Sequence, residues 1–245
     1  MAIFDFLLMV VAGFFAGLIG FVTGMASLVS YPAMLAIGLD PVAANVTNTV
    51  GMVAVGVGAL ANSGRELMDT GPQLRRWAVA AVLGGVVGAA LLLVGPASLF
   101  ETVVPYLVGV AAIAVLIQPQ IRKLSGGGDF GRVTTIGVFA VAVYGGYFGA
   151  GAGVIFLALF LVCTTQNVWR STILKSFLLG IANLVAAIIF AVTGPVDWPI
   201  ALAMALGALV GGWCGPPVVK VIPPQILRIA VGILGLGLAV WLAVH

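Results

Sequence analysis

Gly145-Gly-Tyr-Phe-Gly-Ala-Gly-Ala-Gly153 sits inside a stretch, Val133 to Trp169, that contains no Asp, Glu, Lys or Arg. A second cluster, Gly17-Leu-Ile-Gly20-Phe-Val-Thr-Gly24-Met-Ala-Ser27, sits inside another uncharged stretch, Phe6 to Leu39. The two stretches hold 37 and 34 residues. As straight helix each would be roughly 50–55 Å long, against a hydrocarbon core only about 30 Å thick. Each is therefore expected to break or turn back within the bilayer, and the glycine clusters are the natural break points. Broken helices survive in membranes where they line a cavity. In secondary transporters they frame the substrate site.

The rest of the chain fits a multi-pass membrane protein. Mean hydropathy is +1.27. Hydrophobic residues make up 62% and charged residues 7%, where soluble domains carry about 25% charged residues. The charges divide the chain into eight apolar windows: 6–39, 41–64, 77–100, 102–121, 133–169, 176–196, 198–219 and 229–245. Six have the length of a single helical span. A membrane β-barrel would alternate polar and apolar residues over short segments, which this chain does not do. The first window lacks a basic leader region and is too long for a signal peptide, so it reads as mature structure. The net charge of +3 comes from loop arginines and lysines and reads as topology rather than nucleic-acid binding. Cys163 and Cys214 show no pairing or metal spacing and read as small buried thiols.

The chain also repeats. Gly17, Gly20, Gly24 and Gly51 are followed 129 residues later by Gly146, Gly149, Gly153 and Gly180, and Thr47 by Ser176. Farther along the offset becomes 123: Leu83, Gly84, Val87, Gly88, Val108 and Gly109 match Leu206, Gly207, Val210, Gly211, Val231 and Gly232. An offset of 126 at the glycine core also aligns small residues, so the register stays open. The expectation is two halves, 1–121 and 122–245, joined by the polar hinge Arg122–Arg132.

Loop charges orient them. If both long windows are hairpins, loops 61–76, 118–132, 163–172 and 214–228 share one side, with Arg65, Arg75, Arg76, Arg122, Lys123, Arg132, Arg170, Lys220 and Arg228. Loops 38–44, 95–101 and 193–198 hold no Lys or Arg. The positive-inside rule favours this arrangement over a full second crossing. Each half is then a broken, re-entrant helical hairpin plus three transmembrane helices. Three crossings are odd, so the halves form an inverted repeat in one all-α membrane domain, with both termini outside the cytoplasm. Trp77, Trp169, Trp198 and Trp213 suit the interfacial belt.

Catalytic equipment is sparse. The only histidine is the last residue, His245, and the seven acidic residues sit at window edges. No acid–base pair, nucleophile set, metal-ligand cluster or nucleotide loop can be assembled, so neither an enzyme nor a cofactor is expected. Binding equipment is richer. A helix that starts at a break presents unpaired N–H groups and a partial positive charge to anions, and glycine lets a ligand approach closely. Gly20, Thr23, Gly24, Ser27, Tyr147, Gly149, Gly151 and Gly153 occupy the breaks. Thr47 and Asn48 lie on the helix after the first hairpin; Lys175 and Ser176 lie on the one after the second. Intramembrane Asn and Lys usually face the bundle interior. Lys175 reads either as a cation for the site or as a residue snorkelling to the interface. Gly84, Gly85, Gly88, Gly207 and Gly211 read as helix packing.

Gly20-x-x-Thr-Gly-Met-Ala-Ser27-x4-Pro32, Gly146-Tyr-Phe-Gly-Ala-Gly-Ala-Gly153 and the turn Ala44-Asn-Val-Thr-Asn48 resemble the TauE/SafE sulfite exporter family of bacterial and archaeal permeases. The resemblance covers the whole chain. The family's usual Gly-x-Gly-Gly-Gly followed by Pro is altered here: Thr23, Met25, Ala26 and Ser27 interrupt it in the first half, and Ala158 or Leu161 stands near the proline position in the second. The resemblance implies an inner-membrane carrier, an exporter, of sulfur-containing oxyanions such as sulfite or organosulfonates. Uptake of another small anion such as thiosulfate, or a non-transporting membrane scaffold, are the alternatives. The expected partners are a small anion and the lipid bilayer, not nucleic acid.

Overall fold

The computed structural model describes residues 3–63, 67, 71–123, 130–219 and 224–244. Arg65, Lys220, His245 and the glycine-rich part of the hinge lie outside the described residues, as do the side chains of Arg122 and Arg228. All regular structure among the described residues is helical. In chain order the helices are α1 (Ile3–Thr23), α2 (Ser27–Ala36), α3 (Pro41–Ser63), α4 (Gly71–Val94), α5 (Ala97–Leu116), α6 (Gln118–Lys123), α7 (Gly131–Tyr147), α8 (Ala152–Cys163), α9 (Val168–Thr193), α10 (Trp198–Val219) and α11 (Pro224–Val244). Five of these are long and apolar enough to cross a membrane: α1, α4, α5, α9 and α10.

Both long windows break at their glycines. Gly24 takes φ +85° and its N–H donates to the Gly20 carbonyl at 2.8 Å, which ends α1. Gly149 (φ +79°) and Gly151 (φ +74°) end α7 and start α8. These left-handed conformations cost any residue with a Cβ, so glycine is what lets the chain reverse. The second reversal returns to its own starting level. At the end of α8, the Cys163 carbonyl accepts from the Phe130 N–H and the Thr134 hydroxyl, each at 3.2 Å, beside the start of α7. The first hairpin is lopsided: α1 has 21 residues and α2 has 10. At about 1.5 Å per residue, its outgoing arm alone is as long as a full crossing.

Two other expectations need correction. Charge-bounded windows misplaced several helix starts, because Arg75 and Arg76 lie in the second turn of α4 and Arg170 in the first turn of α9 rather than in loops. The α8–α9 loop is only residues 164–167, and Asn167 caps α9 by accepting from the Arg170 N–H at 2.8 Å. A membrane helix carries arginines near its start where those turns stand in the interfacial region. Trp77, assigned to the interfacial belt, is buried against Phe160 with ring centroids 5.1 Å apart. Trp198 and Trp213 are exposed, as belt residues should be.

Glycine contacts fix the order of packing. A Cβ at Gly207 would clash with the Val10 carbonyl and the Phe14 N–H; one at Gly84 would clash with the Phe139 carbonyl and the Val143 N–H. Gly211 meets Phe14 and Leu18, and Gly88 meets Val143 and Tyr147. So α10 lies along α1, and α4 along α7, with the residues of each contact offset by the same 123 and 129 positions. Gly84, Gly85, Gly88, Gly207 and Gly211 are packing residues that let backbones touch. The offset of 129 does not carry into α3 and α9. There Gly180 faces Gly56, while Gly51 packs on Met204 of α10.

Two buried clusters form the core. One, with Met9, Met34, Phe100 and Met204, centres on α1, α2, α3, α5, α10 and α11 and takes in Leu92 of α4, Phe148 and Val154 of the second hairpin and Phe190 of α9. The other, with Trp77, Phe156, Phe160 and Leu178, lies among α4, α7, α8 and α9. The two hairpin breaks meet: a Cβ on Gly153 would fall 2.6 Å from Gly24 Cα, and one on Gly24 would fall 2.6 Å from the Gly153 carbonyl carbon.

Candidate functional site

At this meeting point is a narrow cavity of about 50 Å³. Gly20, Gly24, Ala26 and Ser27 line it from the first hairpin; Phe148, Gly149 and Gly153 line it from the second. Helix α3 contributes Asn48, Thr49, Met52, Val55 and Gly56, and α9 contributes Lys175, Ser176, Leu179, Gly180 and Asn183. One wall is therefore backbone and small side chains, and the other is a polar stripe flanked by aliphatic groups.

Lys175 is the decisive side chain. It is 1% exposed, and its Nζ donates to the Gly20 carbonyl at 3.2 Å and the Phe21 carbonyl at 2.9 Å. It does not snorkel. Those carbonyls belong to the last turn of α1, where a helix leaves acceptors unpaired and carries partial negative charge. Helix α9 therefore caps the broken end of α1. The other break is treated likewise: Asn45 Nδ2, on α3, donates at 2.9 Å to the carbonyl of Tyr147, the last residue of α7. Each hairpin's broken helix is capped by the helix that follows the opposite hairpin, once by a cation and once by an amide.

Asn48 Nδ2 donates to Ser27 Oγ at 3.2 Å across the cavity wall. Asn48 Oδ1 is buried with no hydrogen-bond partner among the described residues. The oxygen and nitrogen of an amide are assigned from the network. A half-turn of that amide lets Ser27 donate to Oδ1 instead. Other hydroxyls are engaged by their own helices: Thr49 donates to the Asn45 carbonyl at 2.9 Å and Ser176 to the Thr172 carbonyl at 3.0 Å. Such back-bonding leaves their lone pairs, more than their protons, facing inward.

Of the residues expected at the site, Gly20, Gly24, Ser27, Asn48, Gly149, Gly153, Lys175 and Ser176 come together around the cavity. Four are placed elsewhere. Thr23 turns its hydroxyl back to the Ile19 carbonyl at 2.9 Å. Thr47 accepts from the Asp197 N–H at 3.0 Å and so anchors the loop before α10. Tyr147 offers its carbonyl to Asn45, while its ring packs on Phe100 with centroids 5.8 Å apart. Gly151 is the left-handed residue before α8 and lies against Ala111. Thr23, Thr47 and Tyr147 each sit one residue from a cavity residue, and on a helix that step turns the side chain away; Gly151 serves the reversal itself. Phe148, Val55 and Leu179 were missed because nothing separates an apolar cavity wall from core in the sequence alone. Tyr31 packs edge-on against Phe148 with centroids 5.4 Å apart, just behind that wall. No group of three or more metal-binding side chains is found among the described residues.

Comparison with known proteins places this geometry in context. A family profile described as "Sulfite exporter TauE/SafE" matches residues 8–242. The chain is 27% identical over 237 residues to "Probable membrane transporter protein ORF9" of Sinorhizobium sp, covering 94% of this chain and 89% of that one. It is 26% identical to "Probable membrane transporter protein YfcA" of Escherichia coli K12, covering 88% and 82%. A "Probable membrane transporter protein" of Haemophilus influenzae is also 26% identical, covering 88% and 86%. No solved structure matches the chain significantly.

Proposed function

The chain is a multi-pass membrane transporter belonging to the TauE/SafE sulfite exporter family, and we propose that it exports small sulfur-containing oxyanions, sulfite or organosulfonates, through the cavity between its hairpins. One observation carries this reading: a buried lysine and a Ser27–Asn48 pair face the cavity where α2 and α8 begin. Helix N-termini attract anions, and a buried cation near them favours a net negative cargo. Val55, Leu179 and Phe148 suit the carbon portion of a sulfonate.

The residues that hold the cargo in this reading are Gly20, Gly24, Ser27, Asn48, Gly149, Gly153, Lys175 and Ser176. The two halves, 1–121 and 122–245, act as an inverted repeat. Matched glycine contacts of α1 on α10 and α7 on α4 support that reading. The arginine-bearing ends of α4, α7 and α9 face the cytoplasm of an inner membrane.

The test is a thermal-shift screen of purified protein against sulfite, sulfate, thiosulfate, sulfoacetate and acetate. Sulfite or a sulfonate should stabilise the protein and acetate should not. Stabilisation by thiosulfate alone would favour an uptake permease for that anion, and a flat response to all the sulfur oxyanions would overturn the substrate class.

A further inference from the structure

A second concavity lies on the outer flank of the bundle, away from the transport cavity. It is a groove of about 680 Å³ between α4 and α7. Its walls are Val79, Leu83, Ile136 and Phe139, and Arg75 and Arg76 stand at one end. All six are exposed. Arg132, also exposed, lies in the first turn of α7 at that same end. This end is the arginine-rich one. The described loops at the other end, residues 37–40, 95–96 and 194–197, carry Asp40 and Asp197 and no Lys or Arg.

An apolar trough one helix-turn from two arginines, opening sideways from a bilayer protein, has the two-part chemistry of a phospholipid: acyl chain below, phosphate above. A neutral headgroup would gain little from adjacent guanidinium groups, whereas these groups suit phosphate and can hold it bidentately. We propose that the α4–α7 groove is a binding site for one anionic phospholipid of the cytoplasmic leaflet, its phosphate on Arg75 and Arg76 and an acyl chain along Leu83, Ile136 and Phe139. The site reaches the transport machinery through a short path. The seam between the same two helices continues to Gly88, which abuts the backbone N–H of Tyr147 at the hairpin break. A lipid wedged in the groove therefore bears on the position of α7 against α4.

The experiment is native mass spectrometry of delipidated, full-length protein titrated with phosphatidylglycerol and phosphatidylcholine of identical acyl chains. Near a membrane surface each arginine is worth about fivefold in affinity for an anionic lipid, so retention should favour phosphatidylglycerol about 30-fold. Arg75→Gln with Arg76→Gln should remove the preference. Lys123→Gln, an exposed lysine outside the groove, should leave it intact. Leu83→Trp, which fills the trough without touching the charges, should reduce retention of both lipids. Equal retention of the two lipids in the native protein overturns the proposal, as does a preference that survives the arginine substitutions. If glycerol phosphate without acyl chains competes as well as the lipid does, the arginines bind soluble phosphate and the lipid site is refuted.

Discussion

At the scale of single residues, what a position tolerates depends on where a side chain or a Cβ can fit. Gly24 and Gly38 both have positive φ, +85° and +93°. A Cβ on Gly38 meets nothing within 4 Å, whereas one on Gly24 runs into the Gly153 backbone. Gly38→Ala should therefore cost only the conformational penalty of about 1–2 kcal/mol and keep full transport. Gly24→Ala should push the hairpin tips apart and abolish it, as cell-based export alongside a thermal-unfolding assay would show. Similar losses in both variants would mean that the contact between breaks is not functional. Lys175→Met removes the cap from two carbonyls and the cation from the cavity. Export and anion binding should fall roughly 5- to 150-fold, equivalent to the ~1–3 kcal/mol that a lost buried pairing costs. The glycine clusters and Asn48 were legible because window length demanded a break and because Asn is costly in lipid; Lys175 stood open between the site and the interface. The caps were not legible. Nothing in the sequence says that Lys175 would serve a helix some 155 positions earlier. Neither does it say that Thr47 faces the α9–α10 loop while its neighbour Asn48 faces the cavity.

At the scale of elements, the crossed caps tie each hairpin to the opposite half. Asn45→Ala leaves the Tyr147 carbonyl without its donor, so α7 should lose stability by about 1–3 kcal/mol. Asn45→Asp, which cannot donate when ionised, should be at least as harmful, whereas Asn45→Gln or Asn45→Ser can restore a donor. Unfolding in detergent, followed by tryptophan fluorescence, checks the order. If alanine and serine variants are equally stable, the 2.9 Å bond is incidental. Element boundaries were read less well than element types. Charges marked the windows, but arginines in the first two turns belong inside helices that extend into the interface, which moved α4 and α9 by a turn or two. The interhelical register held in α1, α4, α7 and α10 because their glycines pack backbone on backbone. It slipped in α3 and α9, whose crossing at Gly56 and Gly180 follows another offset.

At the scale of the whole molecule, Lys175 is the only Asp, Glu, Lys or Arg that is buried among the described residues. Carriers coupled to protons usually keep a carboxylate or histidine within their spans. An anion leaving a cell with a negative interior gains about 2.3 kcal/mol per charge per 100 mV without one. The account therefore predicts electrogenic export, with cargo charge moving down the membrane potential. Its topology predicts that cysteines introduced at 194–197 label from outside intact cells and those at 164–167 only after permeabilisation; the reverse pattern would invert the molecule. The most direct measurement uses proteoliposomes loaded with a radiolabelled sulfonate, which stays a monoanion across the working pH range. A potassium diffusion potential, imposed with equal pH on both sides, should drive efflux through the native protein and fail to do so through Lys175→Met. Flux that ignores the voltage and follows a pH gradient, or a methionine variant that transports at the native rate, would contradict the account.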